Sequence, residues 1–125
     1  MEDTEIENKT ARNNTRAIGT EYEEMAAAFL TEQGMTVIMR NYRSKKGEID
    51  IVAQDGDYIV FVEVKYRKND SYGYPEEAVD FKKQNRIRFT ARQYLVHERL
   101  GVTVPVRFDV VAILGNEIKH IKDAF

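Results

Sequence analysis

The strongest constraint on the fold is the dipeptide Asp55-Gly56, which separates two β-compatible segments, Ile49 to Ala53 and Tyr58 to Tyr66. Asp-Gly between two apolar runs is the short sequence most typical of a tight β-hairpin. The second segment is rich in Val, which favours a strand. We therefore expect the two segments to pair antiparallel within one sheet.

This hairpin also predicts which side chains share a face of the sheet. If the dipeptide forms the loop, Asp50 lies opposite Phe61, Glu48 faces Glu63 directly, and Asp50 is the diagonal neighbour of Glu63. The residues predicted on this face are Glu48, Asp50, Phe61, Glu63 and Lys65. The residues predicted on the opposite face, which is expected to be core, are Ile49, Ile51, Val60, Val62 and Val64.

Helical periodicity and turn signals predict the other elements. One helix is expected from about Ala17 to Gln33, ending at Gly34, and a second from a cap at Asp80 to about Arg99. Further strands are expected at Met35 to Asn41, Val106 to Leu114 and Ile118 to Ile121. The order α, three β, α, two β predicts an α/β fold with a mixed sheet, in which a right-handed crossover makes the third and fourth strands parallel.

The composition of the 125 residues fits one folded domain. Residues 1–15 are predicted to form a disordered acidic and polar tail, and residues 16–125 a single domain. The absence of Cys excludes a disulfide framework, a zinc ribbon and a thiol nucleophile. Neither a secretory signal nor an apolar run of roughly 18 residues is present, so we expect a cytoplasmic protein with no membrane partner.

Three carboxylates and one lysine on one patch of sheet form an unusual concentration of charge. Like charges a few ångströms apart oppose each other's ionisation, and a divalent metal ion would relieve that repulsion. An amphipathic sheet with a solvated polar face is an equally simple alternative, since Glu and Lys are common on such faces.

Two helical residues favour the metal site. Glu21 lies at the edge of the apolar stripe of the first helix, where its carboxylate would point at the sheet, although a boundary side chain that reaches water is the alternative. Gln84 heads the apolar stripe of the second helix and needs a partner if it is buried. If that helix covers the polar face, the face becomes an interior cleft.

Basic and aromatic residues are predicted to gather around this cleft. Residues 1–8 hold four acids and no Lys or Arg, so the formal charge of –2 becomes +2 without them. Basic side chains neutralise phosphates and aromatic rings stack bases, so the combination favours a nucleic acid over ordinary solvated charge. The residues predicted to bind nucleic acid are Arg43, Lys45, Lys46, Arg67, Lys68, Lys83, Arg86, Tyr42 and Tyr74.

The segments Gly47-Glu48-Ile49-Asp50 and Phe61-Val62-Glu63-Val64-Lys65, in this order of elements, resemble the small bacterial YraN family of uncharacterised proteins. That family belongs to the PD-(D/E)XK, or restriction-endonuclease-like, superfamily and is similar to archaeal Holliday-junction resolvases. The resemblance extends from Asn14 to Phe125 and includes Gly19-Thr20-Glu21. It implies a restriction-endonuclease-like αβββαβ core with an added C-terminal hairpin strand.

Position by position, the resemblance implies a site for Mg²⁺ or Mn²⁺. The implied metal ligands are Asp50, Glu63, the Val64 carbonyl and Glu21. Lys65 would orient or activate a water molecule and stabilise developing negative charge, and Gln84 would position a ligand or a phosphate. Ile49 stands where the superfamily has proline, a departure that removes no ligand.

Three functions are expected from these residues. The first is Mg²⁺-dependent hydrolysis of phosphodiester bonds in DNA in preference to RNA; similarity to the resolvases suggests branched or structured DNA and a homodimer. The second is a nucleic-acid-binding module that keeps the fold but does not cut. The third is an adaptor for protein contacts, against which the intact set of carboxylates and lysine argues.

Arg107 and Asp109 are expected to pair structurally, and His97 and His120 to lie at the surface.

Overall fold

The computed structural model describes residues 19–69, 79–101 and 103–125. Its elements are α1 (residues 19–32), β1 (Thr36–Arg43), β2 (Glu48–Asp55), β3 (Tyr58–Arg67), α2 (Phe81–His97), β4 (Val106–Leu114) and β5 (Glu117–Ile121). The predicted order of elements is confirmed. The predicted tail over residues 1–15 and Tyr74 lie outside the described residues.

The five strands form one sheet in the order β1-β2-β3-β4-β5. Strands β3 and β4 are parallel, and the other neighbouring pairs are antiparallel. Helix α2 connects the two parallel strands, as a crossover must. The predicted mixed sheet is therefore confirmed. No helix in the described ranges is long and apolar enough to cross a membrane.

Helix α1 packs on one face of the sheet through Ala26 and Leu30, which are fully buried. It ends at Gly34, whose φ of 91° lets the Met35 N–H reach the Leu30 carbonyl at 3.0 Å. The sheet residues buried beneath α1 are Ile51, Ala53, Val60, Val62, Val111 and Ile113.

Helix α2 covers the other face through Ile87, Ala91 and Tyr94. The carboxylate of its N-cap, Asp80, accepts the Lys83 N–H at 2.8 Å. The sheet residues buried beneath α2 are Ile49, Val52, Ile59 and Phe61. Both faces of the sheet are thus covered, so a solvated polar face was the wrong alternative and an interior cleft the right one.

The hairpin register differs from the predicted one by two residues. Asp55 pairs with Tyr58, so the loop consists of Gly56 and Asp57, and Val52 rather than Asp50 pairs with Phe61. The φ of 58° at Gly56 places the left-handed residue first in this loop. A shift of two residues leaves the predicted faces unchanged wherever the strands alternate regularly, because the side-chain period along a strand is also two.

The prediction that Ile49 and Ile51 share a face is also wrong. Ile51 packs beneath α1, whereas Ile49 packs beneath α2. In β1 the same break occurs at Asn41, whose φ is 56°: Arg40 bonds to Glu24 of α1, while the ring of Tyr42 packs on α2. In both strands, the alternation of side chains between the two faces of the sheet is therefore interrupted at neighbouring positions. Those positions are Asn41 in β1 and Asp50 in β2.

Candidate active site

Asp50 lies where the backbone pairing of β2 with β3 ends. The last pair is Ile51 with Val62, and beyond it Asp50 Oδ2 accepts the Val64 N–H at 2.8 Å. A side-chain carboxylate thus takes a backbone donor that would otherwise belong to a sheet ladder. The contact brings Asp50 beside Glu63, the residue between Val62 and Val64.

Glu63 is buried, with 5% of its surface exposed, and holds two ammonium groups. Lys83 Nζ lies 2.8 Å from Glu63 Oε1, and Lys65 Nζ lies 3.4 Å from the same oxygen. Lys65 comes from the same strand as Glu63, whereas Lys83 comes from the first turn of α2. A buried carboxylate requires such partners, because an unpaired charge is strongly unfavourable away from water.

The charges of this cluster perturb one another. Burial and the neighbouring Glu63 carboxylate raise the pKa of Asp50 to about 8, although the Val64 N–H and Lys83 partly oppose the shift. Burial and the adjacent Lys83 lower the pKa of Lys65. Burial would also lower the pKa of Lys83, but its contacts with Glu63 outweigh that effect and raise it. The Glu63 carboxylate therefore opposes the ionisation of Asp50, as the sequence predicted for neighbouring carboxylates.

Glu23, not Glu21, is the carboxylate that α1 turns toward this cluster. Glu21 is exposed, whereas Glu23 is half-buried and contributes to the raised pKa of Asp50. Glu23 Oε2 also lies 3.7 Å from Arg40. Glu21 as a metal ligand stays a prediction, and Glu23 is the residue that sequence reasoning missed. Counting back from the buried Ala26 by one helical turn would have found it.

A cleft of about 270 Å³ opens beside Asp50 and Glu63. Its lining residues come from the β1–β2 loop, from β2 and β3, and from the first two turns of α2. They are Lys46, Gly47, Glu48, Asp50, Glu63, Lys83, Arg86 and Ile87. The described part of the chain thus brings together two of the three carboxylates predicted to bind metal, Asp50 and Glu63, and three of the predicted basic residues.

Gln84 bonds locally instead of reaching the carboxylates. It is half-buried, and its Nε2 donates to the Val79 carbonyl at 3.3 Å, just before the helix begins. This contact supplies the partner that a buried amide needs. The predicted role of Gln84 in positioning a ligand stays a prediction, while Lys83 beside it makes the direct contact with Glu63.

The other predicted nucleic-acid residues are spread more widely. Tyr42 packs edge to face on Tyr94 with 5.2 Å between the ring centroids, which is a core contact. Arg43 is exposed and lies 3.5 Å from Glu48. Lys45 and Lys68 are exposed, and Arg67 is half-buried at the end of β3. Their role in binding stays a prediction.

A second charged cluster surrounds Asp109, which is fully buried. Arg107 Nε and one terminal nitrogen lie 2.9 Å from its two oxygens, and the Asp123 N–H donates at 3.0 Å. His120 Nε2 lies 2.8 Å from Asp109 Oδ2, and 7% of the His120 side chain is exposed. The expected Arg107–Asp109 pair is present, whereas the expectation of a surface His120 is wrong. The β4–β5 pairing places His120 opposite Val111, diagonal to Asp109.

Fold and site together define an α/β protein with a mixed five-stranded sheet and a buried carboxylate–lysine cluster on β2, β3 and α2. The chain belongs to the uncharacterised protein family UPF0102, whose sequence profile matches residues 22–113. This confirms the resemblance at the level of the family.

Several UPF0102 proteins are similar to almost the whole chain. One from Lachnoclostridium phytofermentans is 52% identical over 112 residues, covering 90% of this chain and 95% of that protein. One from Rhodococcus opacus is 50% identical over 114 residues, covering 87% and 96%. One from Pseudomonas syringae pv. syringae is 40% identical over 119 residues, covering 91% and 97%.

Proposed function

We propose that this protein is a Mg²⁺-dependent nuclease of the PD-(D/E)XK superfamily that hydrolyses phosphodiester bonds in DNA. The observation that carries the proposal is the Asp50–Glu63 pair, which lies where β2 and β3 stop pairing and has Lys65 on Glu63. An ordinary structural carboxylate is paired with cations or donors. Asp50 accepts one backbone N–H, but burial and the neighbouring Glu63 carboxylate raise its pKa.

The residues present fit a magnesium ion. Among the described residues, no three carboxylate or imidazole groups converge to form a complete protein cage. Mg²⁺ does not need one, since proteins usually hold it by one or two carboxylates while water and substrate phosphates fill the other positions. Asp50 and Glu63 would supply the two carboxylates, and Glu23 a third acidic group nearby. When bound, the ion would lower the pKa of a water molecule and offset charge on the phosphate.

Lys65 is suited to act as the general base that accepts a proton from the attacking water. Burial and the adjacent Lys83 lower its pKa, which makes the neutral amine more accessible. In the reaction, a water oxygen would bond to phosphorus as Lys65 accepts its proton, and the bond from phosphorus to the leaving oxygen would break. That oxygen would take a proton from solvent. Lys83 would face the developing negative charge as a permanent cation.

A nucleic-acid-binding module that does not cut is the second candidate, and one contact favours it. Lys83 Nζ lies 2.8 Å from Glu63, so this carboxylate already has a cation without a metal ion. With Asp50 protonated, Lys65 and Lys83 would outnumber the one remaining carboxylate, and this net positive charge would attract a phosphate. Such a protein would keep the fold and bind phosphates without turnover.

Metal binding and cleavage separate the two candidates. Calorimetric titration of Mg²⁺ or Mn²⁺ is expected to show binding to the parent protein and none to an Asp50→Ala, Glu63→Ala double variant. Mg²⁺-dependent cleavage of a panel of linear, single-stranded and branched DNA is expected for the parent. Asp50→Asn, Glu63→Gln and Lys65→Ala are each expected to abolish it.

A Glu32→Gln variant is the matched control, because Glu32 is exposed on α1 and loses the same charge. It should bind metal and cleave as the parent does. Cleavage retained in all three site variants would contradict the proposal. DNA binding without metal binding or turnover in the parent would favour the second candidate.

A further inference from the structure

We infer that a nucleic-acid backbone reaches the Asp50–Glu63 cleft along one exposed side of α2. The basic face, as this side is called below, consists of Asn85, Arg86, Arg88, Phe89 and Arg92 of α2 together with Lys46 of the β1–β2 loop. The inference rests on the proposed function, and it adds the path of the substrate and the residues that hold it.

The composition of α2 is the first observation. Its 17 residues include five Lys and Arg and no acid. Lys82 and Lys83 occupy its first turn, where the positive end of the helix dipole makes a cation unfavourable. Helix stability therefore does not explain this distribution, whereas the approach of a polyanion does.

The pairing of these cations is the second observation. Arg40, Arg43 and Arg107 each lie on a carboxylate of the described chain. By contrast, Arg86 and Arg92 are exposed and form no ion pair with any residue in the described ranges. Two such cations on one helix face leave a surface that an anion can neutralise.

Lys46 joins this surface from the β1–β2 loop. Its Nζ lies 4.4 Å from the centroid of the Phe89 ring, a cation–π contact. Lys46 and Arg86 line the cleft that holds Asp50 and Glu63, and they also line a neighbouring cleft of about 310 Å³ on α2. The basic face is therefore continuous with the proposed site.

The β1–β2 loop is fixed to α2, so the position of Lys46 is built into the fold. Ser44 Oγ lies 2.8 Å from Thr90 Oγ1, and Thr90, fully buried, bonds in turn to the Arg86 carbonyl at 2.8 Å. A Cβ on Gly47 would lie 3.2 Å from Arg86 Cβ, so the loop backbone lies directly against the helix. These contacts hold the backbone that carries Lys46 next to Arg86, and contacts of such cations with phosphates set the position of a nucleic acid on a protein.

The spacing of charge identifies the occupant as a phosphate backbone. A substrate with one phosphate would need only the cations that line the cleft itself, namely Lys46, Lys83 and Arg86. Arg92 lies about two and a half helical turns beyond Lys83, so its charge suits a polymer that carries a phosphate at every step.

The test measures DNA binding by fluorescence anisotropy in EDTA over a range of KCl concentrations, so that metal and cleavage play no part. The probe is a labelled mixed-sequence duplex. A Lys46→Gln, Arg86→Gln double variant should bind about tenfold more weakly, and the slope of log K against log salt should fall by about two. The matched control is Lys119→Gln, Lys122→Gln, which removes the same charge from exposed residues in and just after β5.

The control should bind within about twofold of the parent. Equal losses in the two double variants, or no DNA binding by the parent, would overturn the inference. So would equally tight binding of poly-glutamate, which would assign the basic face to acidic proteins. Calorimetric metal binding is measured separately, so failure here is distinguishable from failure of the proposed metal centre. Unfolding curves for both variants show that each is folded.

Discussion

Asp50 and Asp109 are carboxylates on β2 and β4 of one sheet, yet their surroundings differ. Asp109 has an arginine, a histidine and a backbone N–H around it. Burial alone would raise its pKa, but the hydrogen bonds from His120 and Arg107 outweigh burial and lower it. Asp50 has one backbone donor and a neighbouring carboxylate, and its pKa is raised to about 8.

The comparison shows that burial of charge does not by itself mark a functional site. The Asp109 cluster fastens the C-terminal residues to the sheet, because the Asp123 N–H and His120 both bond to it. In the Asp50 cluster, burial and the neighbouring Glu63 carboxylate disfavour the ionised form of Asp50. A pKa perturbed in this way is typical of sites that bind a ligand or a metal.

The largest effect is expected for Asp109→Asn. This change removes the buried charge that pairs with the half-buried Arg107, so the free energy of unfolding should fall by about 3 kcal/mol or more at neutral pH. The lowered pKa means that Asp109 stabilises the fold above its ordinary pKa of 3.8 and stops doing so as acid protonates it. The loss should therefore shrink below about pH 4. Urea unfolding across this range measures it.

Glu32→Gln is the control for this loss of a carboxylate, and it should change the unfolding free energy by less than about 0.5 kcal/mol. A loss of that small size in Asp109→Asn would mean that Asp55, which also lies 2.9 Å from Arg107, is enough to hold the cluster.

Asp50→Asn should have the opposite sign in metal-free protein. A raised pKa means that Asp50 favours the folded state below pH 3.8 and progressively opposes it as the pH rises toward about 8. Asn can still accept the Val64 N–H but carries no charge. The variant should match the parent near pH 4 and exceed its stability by more than about 1.4 kcal/mol at pH 8, which is one unit of pKa.

Thermal unfolding of both proteins in EDTA, at a series of pH values, measures this difference. A difference that does not change with pH would contradict the raised pKa. Added Mg²⁺ should stabilise the parent alone, since binding to the native state raises stability.

A smaller effect is expected for Gly47→Ala, which alters the contact of the loop with α2. The new Cβ would lie 3.2 Å from Arg86 Cβ and 3.4 Å from Thr90 Oγ1, so the loop or helix must shift. Overpacking of this kind should lower stability by about 1 to 3 kcal/mol. Gly19→Ala is the control, because nothing lies within 4 Å of its added Cβ. Equal stability of the two variants would contradict the close approach.

Most of the fold could be predicted because local patterns decide it. Strand β4 was predicted at Val106 to Leu114 and lies there, and the helix capped by Asp80 is present. The hairpin register could not be fixed from the sequence alone. Gly56 has an Asp on each side, so either Asp55-Gly56 or Gly56-Asp57 could form the two-residue loop. The predicted faces hold where the strands alternate regularly, because the register error was an even number of residues, but the face predicted for Ile49 is wrong.

Local sequence patterns also predicted part of the candidate site. Asp50, Glu63 and Lys65 come from one hairpin, and their proximity follows from counting. Glu23 and Lys83 reach the cluster from helices, so their orientation depends on tertiary packing that the sequence does not show directly. The break in alternation at Asn41 and Asp50 had no sequence signal, because a positive φ at Asn is tolerated without glycine.

Because the Val64 N–H donates a hydrogen bond to Asp50, this amide can serve as a spectroscopic reporter of the site. The chemical shift of an amide proton responds to the charge of its acceptor, so the Val64 resonance should follow the titration of Asp50. The same resonance should move when a cation neutralises that carboxylate. A single backbone signal in an NMR spectrum would thus read out the occupancy of the cleft without any substrate.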